Sequence, residues 1–176
     1  MRILLLGVNH KTVPLDVREA ASFSKSKVIE ALPALQGIAS EAVDLSTCNR
    51  TEIYVTASDE KKPPRIERFL SDFHGLPSET LSPHLIESLD DDAVRHLFKV
   101  ASGLDSLIIG VSEILGQVRE SLTIASDAES VRSPLLGLFH SAVRTGGRTR
   151  EETEISRNAM SVSSAGVRLS KRMLGD

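Results

Sequence analysis

A single cysteine, Cys48, sits in the run Ser46-Thr47-Cys48-Asn49-Arg50. One thiol excludes an intramolecular disulfide and any zinc site built from several thiolates, which leaves a nucleophile, a soft-metal ligand or a small buried hydrophobe. Arg50 follows two residues later. If strand geometry continues through both positions, alternation puts the two side chains on one face, where a guanidinium favours the thiolate that attacks carbonyls. His10 lies in the polar turn Asn9-His10-Lys11-Thr12 after an apolar run, and loops of that kind carry function. His96 has Ala93 and Val100 as helical neighbours; it reads either as an acid, polariser or ligand, or as an ordinary histidine at a core boundary. His74, His84 and His140 show no metal spacing with one another.

The elements around these residues follow from periodicity. Residues 3–8 read as a buried strand, and Ser24 caps a helix over 25–36 with Val28, Leu32 and Leu35 on one stripe. Pro33 is expected to kink or divide that helix, and Gly37 to stop it. Strands follow at 41–46 and 51–57, then the break Lys61-Lys62-Pro63-Pro64, a helix around 66–73 and a strand near 84–87. That order is a split βαβ. From Asp90 the pattern turns helical, with Asp90-Asp91-Asp92 at a helix N-terminus. Ser133 is expected to cap, and Pro134 to open, a helix carrying Leu135, Leu138, Phe139, Ala142 and Val143, with Gly146-Gly147 interrupting or ending it. A last helix over 159–174 presents Val162, Ala165, Leu169 and Met173, an apolar face in need of a partner. The fold class is therefore α+β: a ferredoxin-like split βαβ sandwich, then a helical subdomain and a C-terminal long-helix stub. Residues 1–158 form the domain, and 159–176 begin a linker or spinal helix.

The composition is 40% apolar and 26% charged over 176 residues, with net charge -3, as in one soluble domain. Aromatics at 3% with no Trp argue against a base-stacking platform for single-stranded nucleic acid. No G-x-G-x-x-G follows a strand and no G-x-x-x-x-G-K-[ST] occurs, so neither a dinucleotide fold nor a P-loop is encoded. The basic residues from Arg144 to Arg172 read as a salt-bridged surface or as RNA phosphate contacts. No secretory signal or membrane span is visible, which points to the cytoplasm.

The stretches Gly7-Val8-Asn9-His10-Lys11-Thr12, Ser46-Thr47-Cys48-Asn49-Arg50-Thr51-Glu52-Ile53-Tyr54, His96-Leu97-Phe98-Lys99-Val100-Ala101-Ser102-Gly103-Leu104-Asp105-Ser106 and Ile114-Leu115-Gly116-Gln117-Val118, with the run from Phe139 to Ser164, resemble the N-terminal catalytic domain of glutamyl-tRNA reductase. That family opens the five-carbon route to haem and other tetrapyrroles. The resemblance implies that Cys48 attacks the ester joining glutamate to its tRNA and forms a thioester, which hydride from NADPH then reduces. It implies that Thr47, Asn49, Arg50, Ser106 and Gln117 hold the glutamyl group, with Arg50 pairing a carboxylate at two points, and that His96 sits beside the reacting carbonyl. The chain departs from the family at Val111-Ser112-Glu113, where a Glu, a variable residue and a Gln are usual.

The NADPH-binding and dimerisation domains have no counterpart in these residues, so NADPH is not expected to be bound by this chain. The expectation is a truncated, haem-binding regulatory relative of tetrapyrrole biosynthesis, unable to perform the reduction alone. Cys48, His10 and His96 are its candidate iron ligands and no other metal is expected. The alternative is a catalytic fragment of a true reductase, with glutamyl-tRNA as partner and Cys48 as thioester site. A homodimer through the last helix is expected in either case.

Overall fold

The computed structural model describes residues 2–57, 62–156, 170 and 173. Its centre is a four-stranded antiparallel sheet of β1 (Arg2–Asn9), β2 (Glu41–Thr47), β3 (Arg50–Ala57) and β4 (Ile86–Leu89), in the order β2-β3-β1-β4. This is the strand order of the split βαβ sandwich that the succession of elements implied. Strand β1 is apolar along nearly its whole length because both faces of the sheet are covered. One face packs α2 (Lys25–Gln36) and α3 (Lys62–His74). The other packs α5 (Asp91–Ala101) and α7 (Ser133–Glu152), and α6 (Glu113–Asp127) lies along β2. Two short helices, α1 (Leu15–Ala20) and α4 (Ser78–Leu81), complete the connections and were not anticipated.

Several expectations are corrected. Helix α2 is continuous through Pro33: the missing bond falls at the Ile29 carbonyl, whose residue is exposed to water. The strand near 84–87 is displaced to Ile86–Leu89 because a 3₁₀ turn, Ser82–His84, occupies its expected start. Asp90 does not cap α5 with its side chain; its carboxylate takes Arg2 Nε at 2.8 Å and the Ile3 amide at 3.0 Å, fastening the helix to β1. Helix α6 was not anticipated from the periodicity.

Helix α7 starts one residue earlier than expected, with Ser133 its first residue rather than its cap. The cap comes from another element: Glu41 on β2, 3% exposed, accepts from the Arg132 and Leu135 amides at 2.9 and 3.0 Å, so a buried carboxylate meets the positive helix end. The helix also runs through Gly146-Gly147. A Cβ at Gly146 would collide with the Ala101 carbonyl, so the glycine permits α5 and α7 to touch rather than ending α7. Most of residues 159–176, including the expected last helix and its self-association face, lies outside the described residues; Ser170 and Met173 are helical and exposed. Among the described residues no helix is long and apolar enough to cross a membrane.

Candidate functional site

Strand β2 ends at Thr47 and β3 begins at Arg50, so Cys48 and Asn49 are the two residues of a tight hairpin. The strand does not continue through Cys48, which corrects the alternation argument: Thr47, paired across from Arg50, shares its face, while the Cys48 thiol stands exposed at the tip. The tip is held locally. Thr47 Oγ1 accepts from the Asn49 amide at 3.1 Å, and the His10 amide donates to the Asn49 carbonyl at 2.9 Å.

Facing the hairpin is the loop between α5 and α6. Gly103 and Gly110 both adopt positive φ, +75° and +81°, and the Gly110 amide closes the loop onto the Gly103 carbonyl at 3.0 Å. Arg150 on α7 fastens it from behind, donating to the carbonyls of Ala101 at 2.8 Å, Gly146 at 2.7 Å and Val111 at 3.1 Å. Between hairpin, loop and the first turns of α6 lies a cavity of about 210 Å³. Its walls bring together Thr47, Cys48, Asn49, Arg50, Ser106 and Gln117; Val111 and Glu113 line it too.

His96 and His10 are not among those walls. His96 Nε2 instead bonds Glu52 Oε1 at 2.8 Å, placing the imidazole behind the cavity. Glu52 is the hub of a buried network. The same oxygen accepts from Arg50 Nη1 at 2.7 Å, and Oε2 accepts from the Tyr54 hydroxyl at 2.9 Å. Arg50, 1% exposed, also donates through Nη2 to the Asp105 carbonyl at 2.5 Å, and both of its terminal nitrogens reach Asp105 Oδ2 at 3.3 Å. Lys11 pairs with the other Asp105 oxygen and closes the network against the turn after β1. The Arg50 terminal nitrogens are thus engaged with Glu52 and Asp105 while the residue lines the cavity.

The electrostatics follow from these contacts. Burial alone would raise the Glu52 carboxyl, but the His96 bond, the Arg50 charge and the Tyr54 hydroxyl together hold it below its ordinary value. Asp105 is likewise held low against burial by Lys11 and Arg50. Burial, with the charges of Arg50 and Lys11, lowers His10 and keeps its imidazole neutral; its Nδ1 is enclosed without a hydrogen-bond partner. Burial and the neighbouring Glu52 charge push the Tyr54 hydroxyl well above 10, so it stays a donor.

Glu52, Asp105, Lys11 and Tyr54 were missed as site residues. Period-two spacing from Arg50 puts Glu52 and Tyr54 on one strand face and could have found them. Nothing local to Asp105 marks it as the second carboxylate on Arg50.

Residues 6–153 match the family model described as glutamyl-tRNAGlu reductase, N-terminal domain. The glutamyl-tRNA reductase of Hydrogenovibrio crunogenus is 41% identical over 99% of this chain and 41% of its own length. That of Bacillus subtilis is 44% identical over 100% of this chain and 39% of its own. A solved structure of glutamyl-tRNA reductase from Methanopyrus kandleri superposes with a TM-score of 0.73 at 32% identity, over 97% of this chain and 39% of that one. The chain spans about two fifths of the length of these relatives. With the family model matched across the sheet, the hairpin and helices α5, α6 and α7, the chain belongs to the glutamyl-tRNA reductase family, over that family's N-terminal domain.

Proposed function

We propose that this domain performs the acyl-transfer half of glutamyl-tRNA reduction, in tetrapyrrole biosynthesis. The observation that carries the reading is the convergence of an exposed thiol and six polar or charged side chains on one small cavity. The glutamyl group of glutamyl-tRNA enters beside Thr47, Asn49, Ser106 and Gln117, with its ester carbonyl at the hairpin tip. Cys48 Sγ forms a bond to the carbonyl carbon, the ester C–O bond breaks, and the terminal ribose hydroxyl leaves with the proton the thiol gives up. Glu52 and Asp105 fix Arg50, and Arg50 fixes the hairpin, so the nucleophile is presented on rigid strands. His96 acts through Glu52 as a positioning residue.

The cavity's size favours this reading over a haem site. About 210 Å³ suits an amino-acid side chain and falls below the ~300 Å³ at which pockets for larger ligands begin. Of the three candidate iron ligands only Cys48 lines the cavity, and His96 is committed to Glu52.

The test is deacylation of glutamyl-tRNA under single-turnover conditions. The intact chain is expected to release tRNA faster than Cys48→Ser, whose rate falls to that without protein. Equal rates would contradict the reading. Haemin titration in parallel is expected to give no saturable Soret change that Cys48→Ser or His10→Ala abolishes; such a change would favour the regulatory, haem-binding role instead.

A further inference from the structure

Behind the hairpin, on the sheet face opposite Arg50 and Glu52, a second cavity of about 100 Å³ lies between β2, the start of α2 and α6. Asp44 points into it. The residue is 2% exposed, and neither carboxylate oxygen has a hydrogen-bond partner. Ser46 Oγ, two residues along on the same face, is enclosed and equally unpartnered. Buried polar atoms are nearly always paired and a buried carboxylate is the costliest to leave alone, so this pair marks a site with something to hold.

The rest of the lining says what that is. Helix α6 contributes the Gln117 amide, the Ser121 hydroxyl and Glu120, and Lys25 at the start of α2 bonds Glu120 at 2.8 Å. Apart from the Lys25 ammonium and the Gln117 amide nitrogen, the polar groups lining the space are oxygens, a hard set that suits alkali and alkaline-earth ions over transition metals. Asp44, Glu120 and Lys25 leave one net negative charge, which one monovalent ion neutralises; a divalent ion would overshoot beside the Lys25 ammonium. At roughly 30 Å³ per water the space takes an ion and about two waters.

We propose that this chamber binds a monovalent cation (sodium, potassium or ammonium) through Asp44, with Ser46, Ser121 and Gln117 completing the oxygen shell. The site is independent of the acyl-transfer reading, yet it adjoins that cavity, because Gln117 lines both. A bound ion fixes the amide in the shared wall. Burial, opposed by the neighbouring Ser46 hydroxyl and reinforced by the Glu52 charge, pushes the Asp44 carboxyl up to about 7, so proton and cation compete for it.

Thermal unfolding of the 176-residue chain above pH 7, in sodium, potassium, ammonium and tetramethylammonium chlorides at equal ionic strength, tests this. Tetramethylammonium offers no N–H donor and is too bulky to sit among the oxygens. At least one small cation is expected to raise the midpoint saturably, by about 3 °C at tenfold its half-saturation concentration. The rise vanishes in Asp44→Asn and shrinks in Ser121→Ala. If Asp44→Asn does not fold, saturable broadening of the sodium NMR line by the unaltered chain, reversed by potassium, is the deciding measurement. Equal midpoints in all four salts, a rise that survives Asp44→Asn, a larger rise with magnesium than with any monovalent ion, or an unbroadened sodium line would each overturn the proposal.

Discussion

Two carboxylates on neighbouring strands are equally buried and behave in opposite ways. Glu52 and Asp44 are each no more than 2% exposed, but they point to opposite faces of the sheet, since Glu52 pairs across from Leu45 and Asp44 from Ile53. Glu52 accepts from Arg50, His96 and Tyr54 and is held below its ordinary pKa. Asp44 makes no hydrogen bond of normal geometry, has only the Ser46 hydroxyl near enough to ease its charge, and is pushed by burial up to about 7. Depth is the same, so the partners decide: a satisfied carboxylate organises the hairpin, and an unsatisfied one is left without a counter-charge.

The largest effect should come from breaking the satisfied side. Glu52→Gln leaves the buried Arg50 short of a counter-charge and is expected to cost about 3 kcal/mol in urea denaturation at neutral pH. Because Glu52 is held low, its contribution is fully present above the ordinary value of 4.5 and is lost as pH falls through and below it. The gap between the two proteins should therefore narrow in acid; a gap that stays constant with pH would show that Glu52 acts by shape alone.

Removing the unsatisfied charge should do the reverse. Asp44→Asn is expected to stabilise the chain by about 1–3 kcal/mol above pH 7 in tetramethylammonium salt. The sign follows from a folded pKa raised from 3.8: Asp44 contributes stability below pH 3.8 that is lost as pH rises through about 7. The gain should vanish at acidic pH. A destabilised Asp44→Asn at high pH would mean that Asp44 has a partner after all.

The smallest effect extends the comparison to an imidazole. His74, packed edge-on against Phe23 with ring centroids 4.3 Å apart, has both nitrogens enclosed and unpartnered. Burial lowers it from 6.5 to about 4, with Lys27 assisting, so stability present above pH 6.5 is lost as pH falls toward 4. His74→Leu should flatten that acid limb by about 1 kcal/mol, discounted for its partial exposure. Unfolding curves at neutral pH and near pH 5 measure it; parallel losses in both proteins would remove His74 as the cause.

How much of this was legible varies with the range of the contact. The strand order follows from the succession of elements that local patterning exposes, and the gathering of Thr47, Cys48, Asn49, Arg50, Ser106 and Gln117 from the family resemblance of the stretches that carry them. Helix α6 carries Ile114, Val118, Leu122 and Ala125 on its buried stripe, yet Gly116 and the Ser and Thr residues between them lower helix propensity and disguise it. Gly146 misled for a different reason: it is a packing glycine, and the carbonyl it accommodates belongs to a helix about 45 residues earlier in the chain. The bond from His96 to Glu52 spans 44 residues and has no local signature, so the histidine's place behind the cavity, not in it, emerges only when the sheet and α5 are assembled. Asp44 carries no local signal within its strand; only its enclosure by α2 and α6 makes it unusual.

The central claim is that the hairpin presents Cys48 as an acyl acceptor. Intact-mass analysis of the chain after brief incubation with glutamyl-tRNA and acid quenching tests it most directly. The account predicts a gain of one glutamyl group, removed by hydroxylamine, located on the Cys48 peptide and absent from Cys48→Ser. An unmodified chain, or an adduct that persists in Cys48→Ser, would contradict it.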